Sequence, residues 1–443
     1  MTVFSGAAAA RGKLGRKPGR SLQNRCLGGL LALILSGAAG QTGAETLVAI
    51  TSPDALTQAL AAAKPGTVIT LAAGDYGALT LDNMGGDAGN PVTLRSADPK
   101  APAQFSSMSL TGTRHLVLEG LRFTYSFTEG AHLVTRDFQV SGGQDITFRQ
   151  NLFQGDMASG MSEPGNGFPT GVGLWLSGVA GVTFEHNELR GFYKALAVRE
   201  STDVVVQNND LHDIRMDGMT FAQVQRLRIE GNHIHDFMRV IDSGDHSDMI
   251  QFWTGGTTQA STDIVIRGNI LDSGTGWYTQ SIFIGNELRA GRPGFGLFYQ
   301  NVTIENNVII NAQSHGISAG QTNGLIIRNN TLVHNAASNG KRDLPALYVP
   351  RIEVPSESTD VVISHNAASA IKGFKSQSDW TVTDNLIIQD TAPGQPGYYD
   401  KVFVAARSGD PRVLANFAYL PGGPLAGKGI GAPQLDTPNP VLP

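Results

Sequence analysis

A short pattern of alternating apolar and polar positions recurs along most of the chain. Each copy reads apolar–x–apolar–x–x–Asn–x–apolar, and its asparagines are Asn151, Asn187, Asn209, Asn232, Asn269, Asn307, Asn330, Asn366 and Asn385. Successive asparagines lie 19, 22 or 23 residues apart, or 36 to 38 where an insert intervenes. The alternation predicts a short strand with one face turned inward. We expect each asparagine to take a left-handed bend after that strand and to hydrogen-bond to its copies in the neighbouring coils.

A second short apolar run follows in most repeats. These runs lie at 174–176, 196–198, 219–221, 250–252, 282–284, 317–319 and 347–349. A unit of this length with a strand pattern cannot bury its inward face alone, so it must stack on its neighbours. The sequence therefore predicts an all-β fold, a parallel β-helix (solenoid) of about ten coils that are roughly 4.8 Å apart.

The first 45 residues are of a different kind. Six Lys and Arg residues between Arg11 and Arg25 precede an apolar run at 26–40. That run is shorter than the roughly 20 residues of a membrane span. Small residues follow at 42–44, so we predict that residues 1–44 are a secretory signal peptide. The mature protein is then expected to be secreted or periplasmic, without membrane association. It would also lack cysteine, because Cys26 leaves with the signal.

Residues 45–443 are predicted to form one β-helix domain. Within it, 45–96 are expected to form an N-terminal cap that contains a helical segment at 54–63, which Pro65 and Gly66 end. The coils are expected over 97–399. The stretch 400–443, rich in glycine and proline, is expected to lie along the last coils as a closing tail.

The charge of the chain restricts its partners. Charged residues make up 16% of the sequence and the formal net charge is −5. No basic surplus is available to neutralise phosphates, so nucleic acid is not an expected partner. An anionic polysaccharide is compatible with this total, because one basic groove can lie in a weakly acidic protein. We expect a monomer.

The stretch Asp242–Trp253 concentrates reactive side chains in a chain that is poor in charge. Within it, His246 lies beside Asp245 and Asp248. Neighbouring carboxylates can orient an imidazole and keep it basic enough to accept a proton. We therefore predict His246 and Asp248 as catalytic residues.

Aligning the second strands on their inward residues places residues of successive coils in columns. The first column holds Val172, Lys194, Asp217, Asp248, Gln280 and His315. Gly218 indicates a bend beside this column, and five successive polar residues could not all be buried cheaply. We therefore predict a polar ridge on the outer wall, in which Lys194 and Asp217 are catalytic and Gln280 and His315 contact substrate.

Two further columns carry aromatic and cationic side chains. Trp175 and Gln251 lie in one of them, and Arg199 and Trp253 lie in the other. The tryptophans are predicted to stack on the apolar faces of sugar rings, with Gln251 as a further substrate contact. Arg199 is predicted as a catalytic residue, since its fork-shaped guanidinium suits a uronate carboxylate.

Calcium is the one cofactor that the sequence suggests. Asp217, Asp245 and Asp248 could together hold Ca²⁺, a hard ion that takes several oxygen ligands.

Other acids and histidines are predicted to be structural. The aspartates are expected to cap turns and the histidines to lie in turns after the asparagines: Asp203, Asp263, Asp360, His212, His233 and His235.

The repeat resembles the right-handed parallel β-helix superfamily of pectin-lyase-like proteins, which includes pectate lyases, polygalacturonases and alginate-active enzymes. The segment Asp54–Phe123, with Lys64-Pro65-Gly66, Asp75-Tyr76 and Gly89-Asn90-Pro91, resembles the start of the alginate lyase/chondroitinase B family. The resemblance implies a right-handed helix and a polysaccharide-active enzyme. That family uses a lysine and an arginine on neighbouring coils, whereas Lys194 and Arg199 share one coil, so their roles are not carried over.

Two uronate-directed activities are open on these residues. In a lyase, Arg199 or a divalent cation would neutralise the uronate carboxylate and acidify the C5 proton. Lys194 or His246 would remove that proton, and the 4-linked sugar would leave by β-elimination. A C5-epimerase would use the same residues and return the proton from the other face.

A glycoside hydrolase is the main alternative. His246–Gln251 resembles the polygalacturonase segment Asn-Thr-Asp-Gly-Ile-Asp, and Ser314–Ser318 resembles its Gly-His-Gly-Ile-Ser segment. The paired aspartates of that family are absent from the intervening coil, where Thr279-Gln280-Ser281 stands. Adjacent coils would place Asp217 and Asp248 about 5 Å apart, whereas an inverting mechanism needs about 6.5–9.5 Å. These departures favour a lyase.

A third reading is a carbohydrate-binding or adhesion solenoid without catalysis. It predicts stripes of aromatic and asparagine residues but no cluster of proton-transfer groups. The group of Asp245, His246 and Asp248 argues against it. The sequence thus favours a polysaccharide lyase that acts on an acidic polymer.

Overall fold

The computed structural model describes residues 46–161, 164–240, 243–339 and 347–443. The predicted signal peptide lies outside these residues, as does Asp242 at the start of the candidate stretch. Gly43–Pro443 is one compact unit. In the part of the chain described, no helix has both the length and the apolar character that crossing a membrane requires.

The described residues form three long parallel sheets, which we call A, B and C. In each coil the chain passes through sheets A, B and C in turn. Within the described ranges, sheet A contains 13 strands, sheet B contains 12 and sheet C contains 11. This confirms the predicted parallel β-solenoid, with slightly more stacked strands per sheet than the expected ten coils. The repeat pattern undercounts because the first coils lack the asparagine motif.

Sheet A consists of Thr46–Ile50, Thr67–Leu71, Val92–Ser96, Arg114–Glu119, Gln144–Arg149, Ala180–Glu185, Thr202–Gln207, Gln225–Glu230, Thr262–Arg267, Tyr299–Glu305, Thr322–Arg328, Thr359–Ser364 and Trp380–Thr383. Sheet B consists of Gly74–Asp75, Ala103–Phe105, Arg122–Thr124, Leu152–Gln154, Glu188–Arg190, Asp210–Ile214, His233–Phe237, Ile270–Asp272, Val308–Asn311, Thr331–His334, Ala367–Ala368 and Leu386–Ile387. Sheet C consists of Ala78–Asp82, Ser107–Thr111, Phe138–Ser141, Val172–Ser177, Lys194–Arg199, Asp217–Ala222, Ser247–Trp253, Thr279–Gly285, His315–Ser318, Arg351–Glu353 and Ile371–Lys372.

The remaining elements are short. Asp156–Met157 and Pro169–Thr170 form an antiparallel pair. One α-helix spans Pro53–Ala62, and 3₁₀ helices span Ala336–Ser338, Tyr399–Lys401, Leu414–Phe417 and Pro433–Leu435. The side chain of Ser52 caps the α-helix by accepting a hydrogen bond from the backbone of Ala55. A first complete coil begins at Thr67, inside the segment expected to form the cap.

The asparagines form a continuous ladder along one corner. From Asn151 to Asn385, each Nδ2 donates to the Oδ1 of the next asparagine at 2.9–3.1 Å, which confirms the predicted stack. The predicted left-handed conformation of the asparagine is wrong. The preceding residue takes it instead, as in Gln150, His186 and Asn208. The ladder asparagine must aim both its N–H and its Nδ2 at the next coil, so the bend falls one residue earlier.

One predicted strand is misplaced. The run at 347–349 was expected to pair in sheet C, but Arg351–Glu353 pairs there with His315–Ser318. Leu347, the expected inward residue, is exposed, whereas Ile352 and Val354 are buried in the core. The alternation of Ile352 and Val354 defines the inward face, and it starts after Pro350.

The C-terminal segment packs against the outer face of sheet B. Ile270, Val308 and Val333 point outward from three successive coils and join a second buried cluster with Tyr399 and Phe403. Their burial removes an apolar stripe from water, which favours docking of this segment. The segment lies along the later coils.

Inserts border sheet C on both sides. The loop at 125–137 and the described parts of 155–171, 238–246 and 335–350 join sheet B to sheet C. A further insert at 286–298 joins sheet C to sheet A. The outer face of sheet C therefore lies between loops on both edges, which is the arrangement of a binding groove.

Candidate active site

A break in the β alternation brings the first polar column to the outer wall. A Cβ on Gly218 would lie 3.1 Å from Cγ2 of Ile234 in the core, and Met249, at the same level of the next coil, is fully buried. Met219 and Ile250, the residues that follow, are buried too. Two successive residues in each strand thus face inward, and the preceding aspartates turn outward, as the predicted bend requires.

The column has the predicted register. Lys194 pairs with Asp217, Asp217 with Asp248 and Asp248 with Gln280 across adjacent strands. The expectation of an open ridge is wrong for the two aspartates, because both are fully buried. Neighbouring polar side chains cover both aspartates. The reactive groups that reach the surface are therefore the basic side chains that pair with them, Lys194 and His246.

Lys194 is held by Asp217. Its Nζ lies 2.5 Å from Oδ2 of Asp217, to which Thr220 also donates a hydrogen bond at 3.3 Å. Burial raises the pKa of Asp217 above its ordinary value, while the ammonium of Lys194 opposes that rise. The other oxygen, Oδ1, is buried without a partner among the described residues. Lys194 is partly exposed, and it lines the cavity described below.

His246 is held by Asp248. Its Nδ1 lies 3.2 Å from Oδ2 of Asp248, and Gln251 donates to the same oxygen at 2.6 Å. Burial raises the pKa of Asp248 to about 6. The hydrogen bond to Asp248 raises the pKa of His246 above its ordinary 6.5. The His246 side chain is 56% exposed, so its ring can meet a ligand while Asp248 fixes it from below.

A cavity of about 290 Å³ opens beside these pairs on the outer face of sheet C. Five of the predicted site residues line it: Lys194, Arg199, Trp175, Gln251 and Trp253. The Trp253 side chain is exposed at the rim. Of the predicted catalytic residues, Lys194 and Arg199 line the cavity, whereas Asp217 and Asp248 are joined to it through their hydrogen bonds with Lys194 and Gln251. His246 is bonded to Asp248 and is not among the lining residues.

Arg136 is the site residue that sequence reasoning missed. Its guanidinium carbon lies 3.4 Å from the ring centroid of Trp175, and it lines the same cavity as Arg199. Burial and the charge of Arg199 lower the pKa of Arg136. Gln139 pairs with Trp175, so Arg136 occupies the first column one coil before Val172. Extending the column by one coil would have found it.

The two guanidiniums have no acidic partner in the described part of the chain. The ion pairs found there include neither Arg136 nor Arg199. Arg136 is exposed and Arg199 is half-buried, so an anion bound between them would relieve the repulsion of two like charges. A carboxylate is the natural group to do so, because guanidinium forks bind it with two parallel hydrogen bonds.

Asp245 does not belong to this group, contrary to the prediction that it ligates metal. Its Oδ2 lies 2.8 Å from Nε of Arg215, and its Oδ1 accepts a hydrogen bond from the hydroxyl of Tyr193 at 3.2 Å. Both charged partners are buried, so this pair fixes the loop before His246. The sequence placed Asp245 beside His246, but the chain turns between them.

The remaining donors do not fit calcium. Asp217, His246 and Asp248 each offer one atom within 4.8 Å of the others. Calcium takes six to eight oxygen ligands, whereas this set has one nitrogen and two carboxylates. Lys194 already supplies a cation to Asp217.

Gln280 and His315 continue the column beyond the cavity. They are hydrogen-bonded to each other, and the His315 ring stacks on Phe283 at 5.7 Å. Burial lowers the pKa of His315. Their predicted contact with substrate stays a prediction, further along the same groove.

The aspartates predicted to cap turns are each the second residue of a sheet A strand. Asp203, Asp263 and Asp360 take left-handed backbone conformations at the start of sheet A strands. The histidines His212, His233 and His235 lie in strands of sheet B, not in turns as predicted.

Comparison with known proteins agrees with this architecture. Residues 170–343 match the family described as the right-handed beta helix region. The chain thus has the fold of a right-handed parallel β-helix. No curated protein sequence matches the chain.

Solved structures with a similar course of the chain share little sequence with it. The Dettilon tailspike protein is 13% identical, with a TM-score of 0.50, over 78% of this chain and 63% of the tailspike. The PL6 family alginate lyase AlyGC is 15% identical, with a TM-score of 0.42, over 80% of this chain and 53% of the lyase, so the match spans about half of that enzyme. The Streptococcus pneumoniae surface adhesin PfbA is 9% identical, with a TM-score of 0.43, over 78% of this chain and 80% of the adhesin. The likeness to the tailspike shows the fold alone.

Proposed function

We propose that the protein is an exported polysaccharide-active enzyme that cleaves a uronate-containing polymer by β-elimination. The observation that carries the proposal is the pair of guanidiniums, Arg136 and Arg199, without acidic partners in the cavity that Lys194 also lines. A β-eliminating enzyme needs such a site, because a free uronate carboxylate makes the C5 proton too weakly acidic to remove.

Substrate binding follows from the cavity. Arg136 and Arg199 receive the carboxylate of the central uronate, and Trp253 offers an exposed ring face to a neighbouring sugar. Trp175 is stacked on Arg136 and orients that guanidinium. Gln251 donates a hydrogen bond to Asp248 and lines the cavity.

His246 is the proton acceptor in this proposal. With Nδ1 directed at Asp248, its Nε2 takes the C5 proton, and the carbanion charge spreads into the carboxylate that the arginines neutralise. The electron pair of the C5–H bond forms the C4=C5 double bond, and the C4–O bond breaks. Lys194 donates a proton to the leaving oxygen, since its ammonium has three N–H donors and Asp217 engages one side of it.

A hydrolase fits the geometry less well. One carboxylate oxygen of Asp217 and one of Asp248 lie within 4.8 Å of each other. This is less than the spacing of about 6.5–9.5 Å that an inverting pair needs and close to the roughly 5–5.5 Å of a retaining pair, so the spacing argues against inversion alone. Both carboxyls are fully buried, so neither reaches a glycosidic oxygen. They are better suited to orient Lys194 and His246.

The test is an incubation of the purified protein with alginate, pectate, chondroitin and a neutral glucan. We expect absorbance of the unsaturated uronate to rise with one acidic polymer and with no neutral one, both with and without a calcium chelator. His246→Ala should lower kcat/KM about 10²- to 10⁴-fold while the fold is retained. New reducing ends without absorbance would establish hydrolysis instead, and C5 proton exchange without shortening would establish epimerisation.

A further inference from the structure

A second group of ionisable side chains lies on the outer face of sheet B. Strand Asp210–Ile214 pairs with His233–Phe237, so that Asp210 is opposite His233 and His212 is opposite His235. Leu211 and Ile234 between them point into the core. Asp210, His233 and His235 therefore project outward together from two adjacent coils; we call them the sheet B histidine cluster.

The donor atoms of this cluster are spaced like metal ligands. Oδ1 of Asp210 lies 2.9 Å from Nε2 of His235 and 3.7 Å from Nδ1 of His233. One atom from each of the three residues lies within 4.8 Å of the others. Tetrahedral zinc with bonds of 2.0–2.1 Å separates its ligand atoms by about 3.3 Å, which falls between the two measured distances.

The surroundings of the cluster orient its ligands. Nδ1 of His235 lies 2.7 Å from Oδ2 of Asp236, which leaves Nε2 to face Asp210. A carboxylate on the far nitrogen of an imidazole is the usual outer support of a metal-bound histidine. The rings of His233 and His235 stack at 4.0 Å, and both side chains are mostly buried, so little side-chain freedom is lost on binding.

We propose that Asp210, His233 and His235 bind a divalent first-row transition ion of the zinc class, which joins two adjacent coils. Two imidazoles and one carboxylate are ligands that zinc, nickel and copper accept and that calcium and magnesium do not favour. The fourth position faces solvent and takes water. The site belongs to sheet B, whereas the proposed active site belongs to sheet C, so the two proposals stand independently.

The experiment is a calorimetric titration of the full mature chain with ZnCl₂, after dialysis against a chelator. We expect one Zn²⁺ per chain, with at least 100-fold weaker binding of Ca²⁺. Saturation with Zn²⁺ at about 100 times Kd should raise Tm by about 3 °C.

Variants locate the site. His233→Asn and His235→Asn should each weaken Zn²⁺ binding at least 10-fold, and far-UV circular dichroism checks that they fold. The matched controls are His212→Asn, whose imidazole stacks on His235 at 5.0 Å but is not a ligand, and His246→Ala in the other site. Both controls should bind Zn²⁺ as the wild type does. No stoichiometric binding by the wild type, undiminished binding by the two cluster variants, or loss with His246→Ala would each overturn the proposal.

Discussion

Asp217 and Asp248 are ionisable groups that the fold keeps away from water, and each holds a basic side chain that reaches the surface. A buried carboxylate is expensive unless it is paired, so the pairs define the positions of Lys194 and His246 closely. The exposed members can then meet a polymer without losing their orientation. Because the buried aspartates orient the exposed Lys194 and His246, specific effects of pH and of substitution are expected.

The pH dependence of kcat/KM should reveal the contact between His246 and Asp248. The hydrogen bond raises the pKa of His246 above 6.5, and a base must be deprotonated, so activity should rise through a pKa above 6.5. Asp248→Asn removes the carboxylate charge and should move this acidic limb to lower pH. Asp203→Asn, which alters an exposed ion pair on sheet A, should leave the limb in place. An acidic limb that does not move in Asp248→Asn would exclude His246 as the base.

The two arginines should contribute to recognition of the carboxylate. Arg136→Gln and Arg199→Gln should each lower kcat/KM about 10- to 100-fold, because hydrogen bonds to charged groups are worth about 1.5–3 kcal/mol. Arg199→Lys should recover only part of this loss, since an ammonium lacks the planar fork. Arg226→Gln, exposed on sheet A, is the matched control and should be neutral. Steady-state rates on the acidic polymer decide the matter, and wild-type rates in both glutamine variants would remove the arginines from the site.

At the scale of elements, the asparagine ladder joins one coil to the next. Asn232 accepts from the backbone N–H and Nδ2 of Asn209, and it donates to Val206 and Asn269. Every polar atom of its side chain is thus satisfied inside the protein, where an orphaned group is costly. The ladder also explains how strands of only a few residues stay in register.

Substitution within the ladder should be costly in proportion to burial. Asn232→Ala leaves buried donors and an acceptor without partners, so it should lower the free energy of unfolding by about 2–4 kcal/mol. Asn385→Ala, at the end of the ladder and half-buried, should cost about 1 kcal/mol. Guanidinium unfolding followed by circular dichroism measures both. Equal losses in the two variants would show that the ladder hydrogen bonds do not determine stability.

At the scale of the whole molecule, the sequence predicted the architecture because a solenoid repeats one local pattern. Lys194, Asp217 and Asp248 could be aligned by counting from their strands, and the structure pairs them in that register. Counting does not reveal what covers a residue, so the burial of both aspartates was not foreseen. Counting from the strands also fails for residues outside the regular coils. Arg136 follows a coil without the asparagine motif, and Asp245 lies in a loop, where it turns toward Arg215.

We propose above that the residues of the sheet C cavity catalyse β-elimination on a uronate, forming a C4=C5 double bond, while Arg136 and Arg199 bind the uronate carboxylate. The most direct measurement is proton NMR of the products from an acidic polymer and from the same polymer with its carboxyls reduced to alcohols. We expect a new vinylic H4 signal from the acidic polymer and none from the reduced one. Cleavage of both polymers at similar rates, or cleavage without a vinylic signal, would contradict it.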